Sequence, residues 1–207
     1  MKHIRTATIG CAVLAVAAVL AWQRPWSQAA APAADTPAPP SRPLPGTSLY
    51  QLRAIWTTDD DRRISLAQLG GRVEILVLMF TECQGTCPVL VKQLQMFAAG
   101  MPRDVARDAH FVLVSIDNEH DTTEQLRRYR QAMRLPPERW TLLTGEGDDV
   151  RELAAVLGFN YDAVEPERFV HSNLITVLSP LGEIVHQQAG VGGEMGALVA
   201  AIRANTR

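Results

Sequence analysis

The period of hydrophobic and polar positions changes several times along this chain of 207 residues. Residues 6–22 carry no charged side chain and follow the basic Lys2 and Arg5. Such a segment is either a secretory signal or a membrane anchor, and its length lies between the two classes. Charge placement keeps the N-terminus in the cytoplasm and exports the remainder. Length favours an anchor spanning about residues 6–22 within a segment 1–27, while Ala29-Ala30-Ala31 offers a cleavage site.

Alternation resumes at Tyr50, Leu52, Ala54 and Trp56; Asp59-Asp60-Asp61 turns, and residues 63–66 return, which predicts a β-hairpin. Residues 73–80 form a nearly continuous apolar run, as in a strand buried on both faces. Pro88 suits a helix's first position, and Leu90, Leu94 and Phe97 supply its apolar stripe. A strand over 110–116 follows, then a helix opened by Asp121-Thr122-Thr123-Glu124, a strand over 140–143 and a helix over 149–157 closed by Gly158. Strands over 174–178 and 183–186 flank the turn Ser179-Pro180-Leu181-Gly182, and a helix over 194–203 ends the pattern. Strands alternating with helices around a mixed sheet, with an N-terminal hairpin, predict an α/β thioredoxin-like sandwich. The expected organisation is a signal or anchor segment (1–27), an Ala/Pro-rich linker (28–46) and one domain (47–207).

Composition limits the possible functions. Apolar residues make up 47%, enough for a real core, and the formal charge is −2 with both signs interleaved. That pattern leaves no electrostatic footprint for nucleic acid. The linker has prolines at 32, 37, 39, 40, 43 and 45. At about 3.1 Å per residue it reaches as far as roughly 60 Å, a tether suited to visiting a partner in the same bilayer.

Of three cysteines, Cys11 lies in the apolar N-terminal segment, and only Cys83 and Cys87 belong to the domain. They sit in Cys83-Gln84-Gly85-Thr86-Cys87-Pro88, between the buried strand and the following helix. Spacing of four on a helical turn lets the sulfurs form a disulfide or grip one ion. The helix N-terminus favours thiolate, whereas Glu82 opposes it if its carboxylate points at sulfur. Two thiolates select copper(I), with zinc the main competitor, and either metal seeks a third ligand such as neutral imidazole. His3 precedes the membrane segment, His110 opens a strand at its wrong end, and His186 falls late in a hairpin. His120, in Asp117-Asn118-Glu119-His120, is a reserve candidate. His171 precedes the strand over 174–178, and in a thioredoxin-like fold that connection faces the cysteine turn. It is the candidate third ligand beside Cys83 and Cys87.

Four ordered blocks carry a family resemblance. They are Phe80-Thr81-Glu82-Cys83-Gln84-Gly85-Thr86-Cys87-Pro88, Val114-Ser115-Ile116-Asp117 with Asp121-Thr122, Leu142-Leu143-Thr144-Gly145, and His171-Ser172 before Pro180-Leu181-Gly182. From about Thr47 onward the sequence resembles the Sco/SenC family of copper chaperones for cytochrome c oxidase assembly. The resemblance implies copper, as Cu(I) or Cu(II), on Cys83, Cys87 and His171, taken from a donor protein. It implies delivery to the dinuclear copper centre of an oxidase subunit, on the periplasmic side of a bacterial inner membrane. It also gives Asp117 a supporting or partner-docking role. Gln84-Gly85-Thr86, Asn118 and Val170 depart from residues common in the family, which leaves the recipient and the balance with thiol chemistry open. The alternative is a thiol-disulfide reductase acting on cysteines of an oxidase subunit or another cuproprotein. Against it, three residues separate the cysteines instead of two, and no proline directly precedes Leu174.

Overall fold

A computed structural model describes residues 43–165, 168–171, 173–190 and 195–206, with backbone alone for 162–165 and 168–171. All of them fall within the compact unit Pro37–Arg207. The proposed signal or anchor and the linker up to residue 42 lie outside the described residues. No described helix is long and apolar enough to cross a membrane.

The hairpin is present as β1 (Ile55–Thr58) and β2 (Arg63–Ser65), paired antiparallel. It is shorter than the alternation suggested. Tyr50 lies instead in a 3₁₀ turn, Leu49–Gln51, because the Ser48 hydroxyl accepts from the Tyr50 N–H and caps that turn. Strands β3 (Val73–Met79) and β4 (Ala109–Ser115) pair in parallel along their whole length, Val73 with Ala109 through Met79 with Ser115. Every residue of both strands is buried, which requires cover on both faces.

Helix α1 (Thr86–Gly100) makes the β3-to-β4 crossover with the short α2 (Arg103–Ala106), which the sequence did not signal. Beyond β4 come α3 (Thr123–Met133), β5 (Trp140–Thr144) and α4 (Gly147–Leu157), whose Gly158 cap is left-handed at φ 66°. Next is a separate antiparallel pair, β6 (Tyr161–Glu165) and β7 (Arg168–His171). The chain closes with β8 (Leu174–Leu178), β9 (Ile184–Ala189) and α5 (Met195–Asn205). The main sheet runs β2-β1-β5-β4-β3-β8-β9, with β3, β4 and β5 parallel and the other pairings antiparallel. This is the expected mixed α/β sandwich. Helix α1 buries Leu90, Val91, Leu94 and Phe97, while α4 buries Val150, Leu153 and Leu157. Phe111 and Trp140 stack on adjacent strands with ring centroids 4.4 Å apart.

Two buried ionic groups sit away from the cysteines. At the amino ends of the parallel strands, Glu74 meets His110 at 2.6 Å; Arg72 reaches the same carboxylate and Thr141 the imidazole's other nitrogen. His110 is therefore a structural histidine, as its strand position implied. Asp59 is gripped by the fork of Arg130 at 2.5 and 2.7 Å, which fastens α3 to the first hairpin.

The turn at Ser179-Pro180-Leu181-Gly182 closes with a bond from the Gly182 N–H to the Ser179 carbonyl. Gly182 adopts φ 81°, and a Cβ there would lie 2.5 Å from Tyr50 Cγ. Gly182→Ala is expected to destabilise the domain by about 2 to 4 kcal/mol, combining backbone strain with a clash against the buried ring. Chemical denaturation with an unchanged slope checks this.

Candidate metal centre

Strand β3 ends at Met79, and the chain turns through Phe80, Thr81 and Glu82 into Cys83. The α1 cap is Gly85, so the helix begins at Thr86 and Pro88 occupies its third position, two residues deeper than the sequence suggested. Only Cys87 is helical. Cys83 belongs to the preceding loop, so the pair joins loop to first helical turn and does not share one helical face. Cys83 is partly buried, and Cys87 is only 2% exposed. Both are free thiols, and their side chains share a hydrogen bond.

The helix terminus does not make Cys87 a ready thiolate. Burial pushes its thiol well above the ordinary range, and the hydrogen bond and charge of Cys83 push in the same direction. Backbone contacts from Phe80 and from Cys87 itself pull downward and are outweighed. Glu82, whose direction the sequence left open, accepts from Gln125 Nε2 at 2.8 Å on α3. Its carboxylate is engaged there, at the helix surface.

The sequence places Asp121 in a helix-opening box and in one of the blocks that carry the family resemblance, without a role at the cysteines. In the structure Thr122 is the α3 cap, accepting from the Gln125 N–H, and Asp121 instead fixes the cysteine turn. One carboxylate oxygen accepts from the Thr81 N–H at 3.0 Å and the Ser115 hydroxyl at 2.5 Å; the other accepts from the Thr81 hydroxyl at 2.5 Å. The group is 1% exposed, and burial raises its pKa in spite of those three donors. The signal that could have found it is the four-residue spacing of Asp117 and Asp121 beyond a buried strand.

Asp117 is also buried, at 4% exposure. Its N–H donates to the Ser115 hydroxyl, and its carboxylate meets His120 Nδ1 at 2.8 Å. At that exposure the carboxylate offers little surface for a partner to touch. His120, the reserve ligand, is held by this contact. Among the described residues no group of three His, Cys, Asp or Glu side chains is placed to hold a metal, so His120 does not complete the cysteine pair.

His171 ends β7, paired with Tyr161, where the sequence suggested a loop. Strand β8 then runs antiparallel to β3, with Ile175 opposite Val77, so residues before Leu174 lie at the carboxyl end of β3. Asn173, two residues beyond His171, accepts from the hydroxyl of Thr86 at 3.0 Å. Thr86 directly precedes Cys87. Two residues span at most about 7 Å, so the His171 backbone lies at the border of the cysteine turn.

A family model described as SCO1/SenC matches residues 54–205. The chain belongs to the SCO1/SenC family. A SCO1 protein homolog of Bacillus subtilis is 24% identical over 135 residues, 64% of this chain and 69% of that protein. Arabidopsis thaliana ScoI, solved with copper bound, superposes with a TM-score of 0.63 at 23% identity, over 73% of this chain and 96% of that one. BsSco, described as carrying a disulfide switch and as a member of the Sco family of cytochrome c oxidase assembly proteins, gives a TM-score of 0.65 at 20% identity, over 76% and 94%. At these identities the solved structures establish the fold, which this SCO1/SenC domain shares.

Exposure and proton affinity together order the two thiols. In the reduced, metal-free protein at neutral pH, Cys83 is expected to be alkylated first and Cys87 to stay protected. Because the folded Cys87 keeps its proton above the ordinary thiol range, its modification should emerge only as the pH rises through that raised value. Mass mapping of alkylated peptides against pH checks both points. Asp121→Ala leaves the Thr81 N–H and two hydroxyls without their acceptor. It is expected to cost about 2 to 4 kcal/mol and to expose Cys87 to alkylation near neutral pH.

Proposed function

We propose that this protein is a copper metallochaperone that carries its cargo on Cys83, Cys87 and the imidazole of His171. The observation that carries the reading is the Thr86–Asn173 hydrogen bond, which ties the segment after His171 to the helical turn of Cys87. Two sulfurs that already share a hydrogen bond, one of them in apolar surroundings, suit a soft cation better than a hard one. The copper carried by Arabidopsis ScoI supports the choice of metal.

Transfer follows by ligand exchange. Cys83, the more exposed sulfur, is the one an incoming acceptor ligand reaches first, while Cys87 retains the ion until the exchange is complete. The recipient in this reading is the dinuclear copper centre of a cytochrome c oxidase subunit, with a separate donor protein loading the site. Oxidase assembly, named for BsSco, supports that recipient. Residues 1–27 would hold the domain on the periplasmic side of the inner membrane, and the Pro-rich linker would give it reach.

A second reading is favoured by the accessibility of Cys83 beside a partner thiol. Attack by Cys83 on a disulfide would form a mixed disulfide, which Cys87 then resolves, leaving the target reduced and Cys83–Cys87 oxidised. BsSco's disulfide switch supports the capacity for such a cycle. This route needs both cysteines and no imidazole, so His171 separates the two readings.

The reduced protein is expected to bind about one copper. His171→Ala should weaken binding by roughly 100-fold or more, and Cys83→Ser or Cys87→Ser should abolish tight binding. Affinity should rise with pH, because each sulfur binds as thiolate and the folded Cys87 gives up its proton reluctantly. Competition with a chromophoric copper(I) chelator across pH measures this. Unchanged affinity in His171→Ala would sink the three-ligand site, and oxidase assembly rescued by that variant but not by Cys83→Ser would select the reductase reading.

A further inference from the structure

Arg139, at the approach to β5, uses only part of its guanidinium. Its Nη1 donates at 3.2 Å to the carbonyl of Ala98, in the last turn of α1, and its cation lies 5.8 Å from the centroid of the Phe111 ring. Nε and Nη2 are buried and have no hydrogen-bond partner among the described residues. Those two nitrogens form the edge with which a guanidinium grips an oxyanion through parallel bonds. A buried donor left unpaired costs free energy, so that edge calls for an acceptor. Beside it lies an open pocket of about 570 Å³, lined by Arg139 and by Arg103, Asp104, Ala106 and Arg107 of α2 and its C-cap. Arg103 and Arg107 are exposed and make no ion pair among the described residues. Asp104, the one acid in the lining, stands 3.8 Å from Arg203. Three arginines against one carboxylate leave the pocket positive.

We propose that this pocket binds a phosphate group, with the Nε–Nη2 edge of Arg139 beneath it and Arg103 and Arg107 closing over it. A phosphate carries one or two negative charges and enough acceptor oxygens to meet more than one guanidinium, whereas a carboxylate fills a single fork. Because the Arg139 edge is covered in this structure, entry of the anion requires a lining side chain to swing aside, and the exposed Arg103 and Arg107 are free to do so. Position argues for a phospholipid headgroup as the source. The Val73 N–H donates to the carbonyl of Asp108, next to Arg107; the Gly71 N–H donates to Pro180, and the Leu49 N–H to Gly182. The pocket and the first described residues therefore share the end of the sheet where β3 begins, about 20 Å from the cysteine turn at its other end. A domain seated there on a headgroup directs Cys83 and Cys87 away from the lipid surface. The headgroup source rests on the proposed membrane anchor; the phosphate site does not.

Titration of the full chain in neutral detergent with inorganic phosphate should raise its melting temperature and protect the amides of residues 103–107 from hydrogen–deuterium exchange. Acetate at equal ionic strength should do neither. In nanodiscs without added phosphate, phosphatidylglycerol mixed into phosphatidylcholine should give the same protection, pure phosphatidylcholine should not, and high salt should remove it. The double variant Arg103→Gln/Arg107→Gln, changed only at exposed positions, should keep the melting temperature of the phosphate-free protein and bind either probe roughly fivefold more weakly for each charge lost. Arg139→Lys keeps the charge without the fork and should weaken phosphate binding by about tenfold. Protection by phosphate but not by anionic nanodiscs supports the site with free phosphate as its source. No response to either probe, an equal response to acetate, or undiminished binding in the double variant overturns the site. A chain that does not stay with nanodiscs defeats the anchor reading alone, and the detergent titration then still decides the pocket.

Discussion

The Asp121 carboxylate binds the carboxyl end of β4 to the turn that leaves β3. Parallel pairing brings Met79 beside Ser115, and the Ile116 N–H extends the ladder to the Met79 carbonyl. Beyond that point the two chains diverge, one toward the cysteines and one toward α3, and backbone pairing can no longer hold them. Asp121 takes over by accepting from Thr81 on one side and Ser115 on the other. Ser115 also accepts from the Asp117 N–H, so Asp117 and Asp121 meet through one hydroxyl. A buried carboxylate is expensive unless its lone pairs are filled. Three donors fill them here, and the result is a cysteine loop whose origin is fixed on the most buried pair of strands in the domain.

Placement of the thiols on that support sets two effects against each other. A helix N-terminus stabilises an anion by roughly 0.3 to 1 kcal/mol at the surface, and more when partly buried. Removing a thiolate from water costs several times that in an apolar setting. Cys87, nearly inaccessible and part of the buried apolar core, is on the side where desolvation wins. Cys83 lies one turn earlier in the loop and keeps part of its surface. The site therefore has an outer sulfur and an inner one. A cation held between the two sulfurs would change this balance, because it would supply locally the charge that water supplies outside.

The sequence made most of the sheet legible because burial writes directly into residue type. The run from Ile75 to Met79, short, rich in branched aliphatic residues and preceded by Gly70-Gly71, reads as a central strand. His110 could be set aside from its place at a strand's amino end, and its contact with Glu74 explains why a histidine is tolerated there. Alternation continues through Tyr50 and predicts a longer first hairpin than the fold contains, because Ser48 caps a 3₁₀ turn there. Strands β6 and β7 were missed: Tyr161–Glu165 and Arg168–His171 mix charged and apolar residues without a clean period, and their pairing carries a register shift. Pro88 was placed two positions early because the proline preference is local, whereas the helix start here is set by Gly85. Legibility of the candidate site followed the same division. Residue types named Cys83, Cys87 and His171, but the direction of Glu82 and the engagement of Asp121 depend on α3, which the sequence separates from them by about forty residues.

The positions of the buried charges bear on how the domain can work. Glu74 and His110 lie at the amino ends of the parallel strands, and Asp59 with Arg130 lies at the first hairpin, so neither pair belongs to the cysteine turn. At the cysteine end the fixed elements are instead hydrogen bonds to neutral donors: Thr81, Ser115, Gln125 and Thr86. Those that the buried Asp121 accepts are charge-assisted and worth about 1.5 to 3 kcal/mol each, whereas the Thr86–Asn173 bond joins neutral groups and is worth about 1 kcal/mol. The amino ends of the strands are thus tied by ionic pairs, while the loop that carries Cys83 is tied to β4 and α3 by hydrogen bonds through Thr81 and Glu82.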